Sequence, residues 1–509
     1  MELNLQRQSI TVSEVIYNGD AEQPVECDVL LPDYYPDIVK ILKCTITTAI
    51  SSSSASGDRL AIEGISTAHV YYSSTGDSIR HADYKIPFSK TIDLKTTPEN
   101  PIITVTPKTD YVNCRAVSQR RIDIRGAVSL AVKASHSKNE SIISNAEGVG
   151  LQLRRSVINA TEIIGRNVFS FPIREDLECG YGKPAIGNII RTECKVNVIN
   201  HKLVSDKILL KAEALLHISY QPVESNELEI MKYNLPISQI LDCSGIDESS
   251  ICDIIVSTAC CDISAKTDEA GEYRLFAVDA ILEAGITAHR HADIPITTDC
   301  YSTKFESKGI MKPVTFTRLA EIIRTNVLHK TDMDLPDEID TILDTWCEID
   351  SVSRSMENSE LLINICVQVN LMAKMPDGEC RFFDRTTEFT HKISTSCTSA
   401  GADFSPVCDI VSCDYSLQGN DKIDIRCEVS IGGCLYCRSV HNSLSDVSID
   451  EESPKTAGKN KLILYYAAEG ESIWDIAKHY NTSSDAISAE NQLENNPLSY
   501  KQMLLIPIV

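Results

Sequence analysis

The sequence predicts a mainly β protein: three tandem β-rich, sandwich-like repeats followed by a small α+β module of βααβ order. Three observations carry this prediction. A set of landmarks recurs about every 150 residues, the runs between landmarks alternate apolar and polar residues, and the alternation gives way to helical spacing after residue 460.

The first landmark is Pro36-Asp37-Ile38-Val39-Lys40-Ile41-Leu42. It recurs as Pro184-Ala185-Ile186-Gly187-Asn188-Ile189-Ile190 and as Pro336-Asp337-Glu338-Ile339-Asp340-Thr341-Ile342-Leu343. Its shortness leaves a helical turn open. Next come Asp58-Arg59-Leu60-Ala61-Ile62-Glu63-Gly64, its counterpart Asp206-Lys207-Ile208-Leu209-Leu210-Lys211-Ala212, and Glu360-Leu361-Leu362-Ile363-Asn364-Ile365-Cys366. Tyr84-Lys85-Ile86-Pro87-Phe88 answers Tyr233-Asn234-Leu235-Pro236-Ile237, and Arg121-Ile122-Asp123-Ile124-Arg125 answers Lys422-Ile423-Asp424-Ile425-Arg426. Leu60–Ile65 and Ile423–Val429 have the period of two that marks a strand with one wet face. Ser74-Thr75-Gly76-Asp77, Asp268-Glu269-Ala270-Gly271 and Pro376-Asp377-Gly378 supply turns between strands. Ser51–Gly57 reads as a hairpin loop. The repeats are bounded at 1–150, 151–305 and 306–440, with a polar linker or poorly packed strand end at 441–460 and a last module at 461–509.

Charge narrows the partners. The 509 residues carry 48 Lys+Arg against 72 Asp+Glu, a net charge of −24. Nucleic-acid binding and electrostatic docking on anionic lipid both rely on Lys and Arg, so both are disfavoured. No uncharged apolar run approaches a membrane span, and the start shows no basic-then-apolar secretory signal. The nineteen Cys are scattered rather than arranged as a framework, which fits a reducing compartment with most thiols acting as small apolar groups.

No catalytic constellation is visible. There is no phosphate-cradling GxxxxGK[ST] loop and no GxSxG elbow. Cys434-Leu435-Tyr436-Cys437 with His441 is a single knuckle, and zinc needs a second pair, so these read as strand cysteines. Cys260-Cys261, Cys408 and Cys413 read the same way, and His289-Arg290-His291 reads as loop or strand surface. Carboxylates abound, yet no pair stands out as a glycosidase dyad. The sequence therefore points to no catalytic residues, no metal ligands and no cofactor.

In the last module, Leu462–Tyr466 is a strand. Ser472 is placed to cap a helix carrying Ile473, Ile476, Ala477 and Tyr480, with Asp475 in its first turn and Lys478 and His479 in its last. Thr482–Asp485 offers a second cap, Ala486–Asn491 a second helix, and Met503–Pro507 a returning strand. The run Glu469-Gly470-Glu471-Ser472-Ile473-Trp474-Asp475-Ile476-Ala477, with Tyr465, Tyr480, Ile487, Asn491 and Ile506-Pro507, resembles the LysM module. Gly470-Glu471-Ser472 stands where that family usually has Gly-Asp-Thr. With three repeats upstream and Leu31-Pro32-Asp33-Tyr34-Tyr35-Pro36-Asp37-Ile38 at the head of the first, the chain resembles the SipL-like spore-coat morphogenetic family, whose repeats are SPOCS domains.

The resemblance implies a non-enzymatic adaptor in the mother-cell cytoplasm. Its LysM module would engage the stage IV A coat-basement ATPase at the forespore surface, alongside other coat morphogenetic proteins. LysM modules also commonly bind N-acetylglucosamine polymers, so peptidoglycan is the alternative partner. The resemblance places a groove between Gly470, Glu471, Ser472 and Ile473 on one side and the segment from Asn491 through Leu493 to Leu498 on the other. Trp474 joins these as an aromatic contact candidate, and Leu462 because Leu462-Ile463-Leu464 puts apolar residues on both faces of a sheet whose helices cover only one. Glu469, Glu471, Glu490 and Glu494 around them favour a partner bearing Lys or Arg. Trp474 has two open readings, packing within its own module or a half-exposed contact residue.

Overall fold

The computed structural model describes residues 3–508 apart from 76–77, 98–100, 149, 398–400, 420, 456–461 and 494–496. Gly76-Asp77 of the first turn cluster, the end of the expected linker and Glu494 lie outside the described residues.

Repeat 1 comprises β1 (Asn4–Leu30), β2 (Ile38–Ser56), β3 (Arg59–Ser74), β4 (Ile79–Asp93), β5 (Ile102–Ser118) and β6 (Arg121–Glu147). They form two antiparallel three-stranded sheets, β1-β6-β5 and β2-β3-β4. Leu60, Ile62, Val70 and Tyr72 of β3 meet Ile122, Ile124, Val128 and Leu130 of β6, so the alternation seen in the sequence becomes the shared inner layer of a sandwich. Repeat 2 copies this with β7 (Leu151–Glu178), β8 (Ile186–Val204), β9 (Lys207–Pro222), β10 (Glu229–Asp242), β11 (Ile251–Thr267) and β12 (Tyr273–Ser302). Repeat 3 has β13 (Phe305–Asp334), β14 (Thr341–Glu357), β15 (Glu360–Lys374), β16 (Cys380–Ser394), a short extra β17 (Ala402–Phe404), β18 (Val407–Leu417) and β19 (Lys422–Pro454).

The proline landmark fixes the entry into the second strand of each repeat. In repeat 1 it is extended rather than helical: Tyr35 N–H closes a turn on Pro32, and β2 begins at Ile38. The hydroxyl of Tyr72 donates to the Pro36 carbonyl at 3.2 Å, and that of Tyr220 to the Pro184 carbonyl at 3.0 Å. Ser51–Ser56, expected as a loop, is strand paired with β3. The hairpin needs only the two residues after it, of which Gly57 takes φ +62°. Asp206 at +60°, and Asn358 and Ser359 at +47° and +66°, do the same work in the other repeats.

The first and last strands of each repeat are long, and their outer halves pair with each other as a stem. Residues 441–454, expected as a linker or a poorly packed strand end, belong to the third stem, where they pair with Phe305–Val314. Most of their polar residues occupy the stem's wet face, while Leu444 and Val447 are buried together with Ser443. The three stems share cores: Ile10 and Ile142 with Ala160, Ile294, Ile296, Val314 and Phe316, and further along Ile143 and Ala146 with Cys300, Leu444 and Val447.

The repeats also meet at their other ends. The second strand of each repeat carries a β-bulge, at Leu42, Ile190 and Leu343, and these three residues pack in one apolar cluster with Tyr71 and Trp346. Beside it, Arg191 of repeat 2 makes a buried ion pair with Asp344 of repeat 3 at 2.8 Å. Arg80 of repeat 1 bonds Gln221 of repeat 2, and Lys133 of repeat 1 pairs with Asp403 of repeat 3 at 3.1 Å. Every repeat therefore touches both others, and the three pack around one another rather than in a row.

Cysteines sit mostly in the interior, as expected. Each repeat places one pair between its two sheets: Cys44 beside Cys114, Cys194 beside Cys261, and Cys347 with Sγ 3.2 Å from Cys413 Sγ. Cys397 and Cys437 form a disulfide. Among the described residues, no helix is long and apolar enough to cross a membrane.

Candidate docking site on the C-terminal module

The module consists of β20 (Leu462–Ala467), α1 (Ile473–His479), α2 (Ser484–Asn491) and β21 (Gln502–Pro507), the order expected from the sequence. Pairing runs antiparallel from Leu462 opposite Pro507 to Ala467 opposite Gln502. Ile463, Tyr465, Ala467, Leu504 and Ile506 face the helices, where Ile473, Ile476, Ala477 and Ile487 complete the core. The strand period of two then sends Leu462, Leu464, Tyr466, Met503, Leu505 and Pro507 to the opposite face. Both helices lie on the other side, so this face is open. Leu464 is 61% exposed, Tyr466 80% and Met503 52%. An apolar patch of this kind on a two-stranded sheet is unusual for a surface with no partner.

The helical side is occupied by repeat 2. Trp474 packs edge-on against Tyr301 with ring centroids 4.9 Å apart, and its indole N–H donates to Asp299 Oδ2 at 2.8 Å. Lys478, one helical turn on, donates to both oxygens of the same carboxylate at 2.8 Å. The Tyr301 hydroxyl donates to the Thr482 carbonyl at 2.7 Å, and Tyr301 is counted among the module's own core residues. Burial works to raise the Asp299 carboxyl, but the Lys478 and Trp474 hydrogen bonds outweigh it and hold the pKa below the ordinary carboxylate range.

This arrangement sorts the residues implied for binding. Leu462 is exposed on the open face. Gly470 is exposed in the turn after β20, where φ +80° requires glycine, and its N–H bonds the Leu498 carbonyl at 2.8 Å. Leu498 N–H returns a bond to the Glu471 carbonyl, so the two walls of the expected groove are tied directly to each other. The Glu471 carboxylate accepts from the Tyr465 hydroxyl and the Ala468 N–H. Ser472 stands at the N-cap of α1, yet its hydroxyl makes no cap bond, whereas Ser483 caps α2 by accepting from Ala486 N–H. Ile473 and Leu498 are core, and Leu493 packs partly buried against them. The Asn491 side chain bonds Ile487 and both backbone groups of Leu505, holding α2 to β21. Trp474 takes the packing reading: it is 5% exposed within the module's core cluster, which Tyr301 of repeat 2 joins from outside.

The other candidate chemistry resolves into structural contacts. Cys437 is in the disulfide, Cys434 approaches Asp253, and His441 bonds Ser439, so the single knuckle is split among three environments. His289, expected at a surface, is fully buried and bridges Ile251 and the Tyr436 hydroxyl, tying repeat 2 to repeat 3. Leu464, Tyr466 and Met503 were missed as site residues. Their alternation was present in the sequence; what it lacked was which face the helices would cover. Asp299 and Tyr301 carried no local signal at all.

A model of the SipL SPOCS domain matches residues 37–117 and 185–266, and a LysM domain model matches 465–507. The SPOCS segments span β2 to β5 and β8 to β11, the same strands in repeats 1 and 2. The long outer strands and the third repeat lie outside these matches. No curated protein and no solved structure matches.

Proposed function

We propose that this SipL-like, LysM-bearing chain is a non-enzymatic adaptor of spore-coat assembly. It works in the mother-cell cytoplasm and docks on the coat-basement ATPase at the forespore surface through its LysM module. SPOCS and LysM domains are binding domains of a sporulation-related protein, and the reading rests on where this module leaves its apolar surface. With α1 pinned to Asp299 and Tyr301, the face of Leu462, Leu464, Tyr466 and Met503 points away from the repeats. Such a face suits a protein partner, because burying apolar area contributes about 25 cal/mol per Å². A glycan needs backbone polar groups free to bond it, and those of Gly470, Glu471 and Leu498 are engaged with each other.

Peptidoglycan remains the second reading, since LysM modules commonly bind N-acetylglucosamine polymers and Gly470 keeps an exposed turn beside the groove. Co-purification of the full chain with the purified coat-basement ATPase, run beside sedimentation with insoluble peptidoglycan, separates the two. Retention by the ATPase supports the adaptor. Sedimentation with peptidoglycan and no retention by the ATPase refutes it.

A further inference from the structure

We propose that His69, His81 and Asp83 of repeat 1 form a binding site for a divalent transition cation of the zinc class. The three come together through strand register. His69 lies opposite Asp83 and Tyr71 opposite His81 across the β3–β4 pair, so both imidazoles and the carboxylate share one face of the hairpin. His69 Nδ1 is 2.6 Å from Asp83 Oδ1, and His81 Nε2 is 2.7 Å from the same oxygen. All three ligand atoms lie within 4.8 Å of one another.

The orientation of each ring suits ligation. Thr47 Oγ1 sits 2.8 Å from His69 Nε2 and can accept a hydrogen bond from it; in that tautomer Nδ1, which meets Asp83 Oδ1 at 2.6 Å, would present its lone pair to a bound ion. His81 Nε2 is buried and lies 2.7 Å from the same Asp83 oxygen that His69 approaches. Tyr71 stacks on the His81 ring at 4.8 Å and is itself backed by Trp346 of repeat 3, which fixes the ring's position. A tetrahedral zinc ion with ligands at about 2.0–2.1 Å holds its ligand atoms about 3.4 Å apart, so binding requires the carboxylate to back away and the two rings to adjust around the ion. Two nitrogen ligands out of three select against calcium and magnesium, which take oxygen. Three protein ligands leave the fourth position for water or for a group from a partner.

The site is particular to repeat 1. In repeat 2 the corresponding cross-strand pairs are His217 with Lys232 and Ser219 with Ile230, and in repeat 3 they are Asn370 with Asp384 and Met372 with Phe382. The repeat fold alone therefore does not require this cluster, and His217 serves as an internal control.

The test compares the full chain with His81→Gln, His69→Gln and His217→Gln, each equilibrated with zinc and then dialysed against metal-free buffer. Metal content should fall by one equivalent in the first two variants and stay at the wild-type level in the third. Thr47→Val should weaken zinc binding by about tenfold or more, the scale for loss of a bond that orients a ligand. Cobalt supplies a second readout on the wild-type chain alone. Ligand-field bands without thiolate charge transfer are expected, which separates this site from the cysteines. Equal metal content in folded wild type and folded His81→Gln overturns the proposal. So does a cobalt titration that yields no imidazole-type spectrum.

Discussion

Trp474 donates its indole N–H to Asp299 across 175 residues of sequence, and that one hydrogen bond decides which side of the C-terminal module is free. The tryptophan faces repeat 2, so the sheet on the far side of the helices is left for other contacts. Asp299→Ala removes the acceptor for both Trp474 and Lys478. Leaving a buried donor unsatisfied costs about 1–3 kcal/mol. The module should loosen from repeat 2 while keeping its own fold. In a Trp346→Phe background, Trp474 fluorescence should shift to the red and hydrogen exchange should rise across Ile473–His479.

Acid should produce the same release. The Asp299 pKa is depressed in the folded chain, so its contribution is complete above the ordinary carboxylate value of about 3.9 and is lost as pH falls through the lower folded value. The fluorescence shift is therefore expected below about pH 4, where the unfolded carboxyl begins to hold its proton. Asp299→Asn should show no such transition, with far-ultraviolet circular dichroism reporting on the rest of the fold.

Trp474→Glu and Ile476→Arg should differ in what they break. Ile476 is 3% exposed in the module core, and an unpaired charge there should unfold the module. Trp474 joins the module core to Tyr301 and bonds Asp299 of repeat 2, so a carboxylate at that position, close to Asp299, should chiefly eject the module from repeat 2. Circular dichroism of the two variants and limited proteolysis near 456–461 distinguish unfolding from undocking. If both melt alike, the contact with repeat 2 is integral to the module's stability.

The buried pair Arg191–Asp344 joins repeats 2 and 3, and Asp344 also accepts from Ser219 and lies 3.2 Å from His217. Burial opposes its charge, and Arg191 with His217 reverses this and drives the pKa down. Asp344→Ala should cost about 3 kcal/mol, because the buried guanidinium then keeps Glu193 as its one charged partner among the described residues. Replacing both residues with apolar ones, Arg191→Met with Asp344→Leu, should recover most of that loss in the thermal midpoint. A double variant as unstable as the single one would mean the polar network, not the unpaired charge, carries the stability.

The β-repeats and the βααβ module were legible because each depends on local pattern: period-two alternation in Leu60–Ile65 and Ile423–Val429, and helical spacing at Ile473, Ile476 and Ala477. Ser51–Ser56 misled because serine is common in turns, whereas the hairpin was set by the backbone conformation of the two residues beyond it. The polar run 441–454 misled for a related reason: a stem strand with one wet face has few apolar residues to show. Among the site residues, Trp474 could not be placed, since its cover comes from Asp299 and Tyr301 in another domain. His69, His81 and Asp83 were invisible as a set, because cross-strand register rather than sequence spacing assembles them.

The central claim is that the open face of the C-terminal sheet binds a protein. It is tested most directly by titrating the coat-basement ATPase with full-length wild type and Leu464→Arg and reading both dissociation constants. Leu464 is exposed, so the substitution should change stability by no more than about 0.5 kcal/mol. Its affinity should fall by about 2 kcal/mol or more, the scale of an interface hot spot and roughly thirtyfold in Kd. Unchanged affinity for a folded Leu464→Arg would contradict the account.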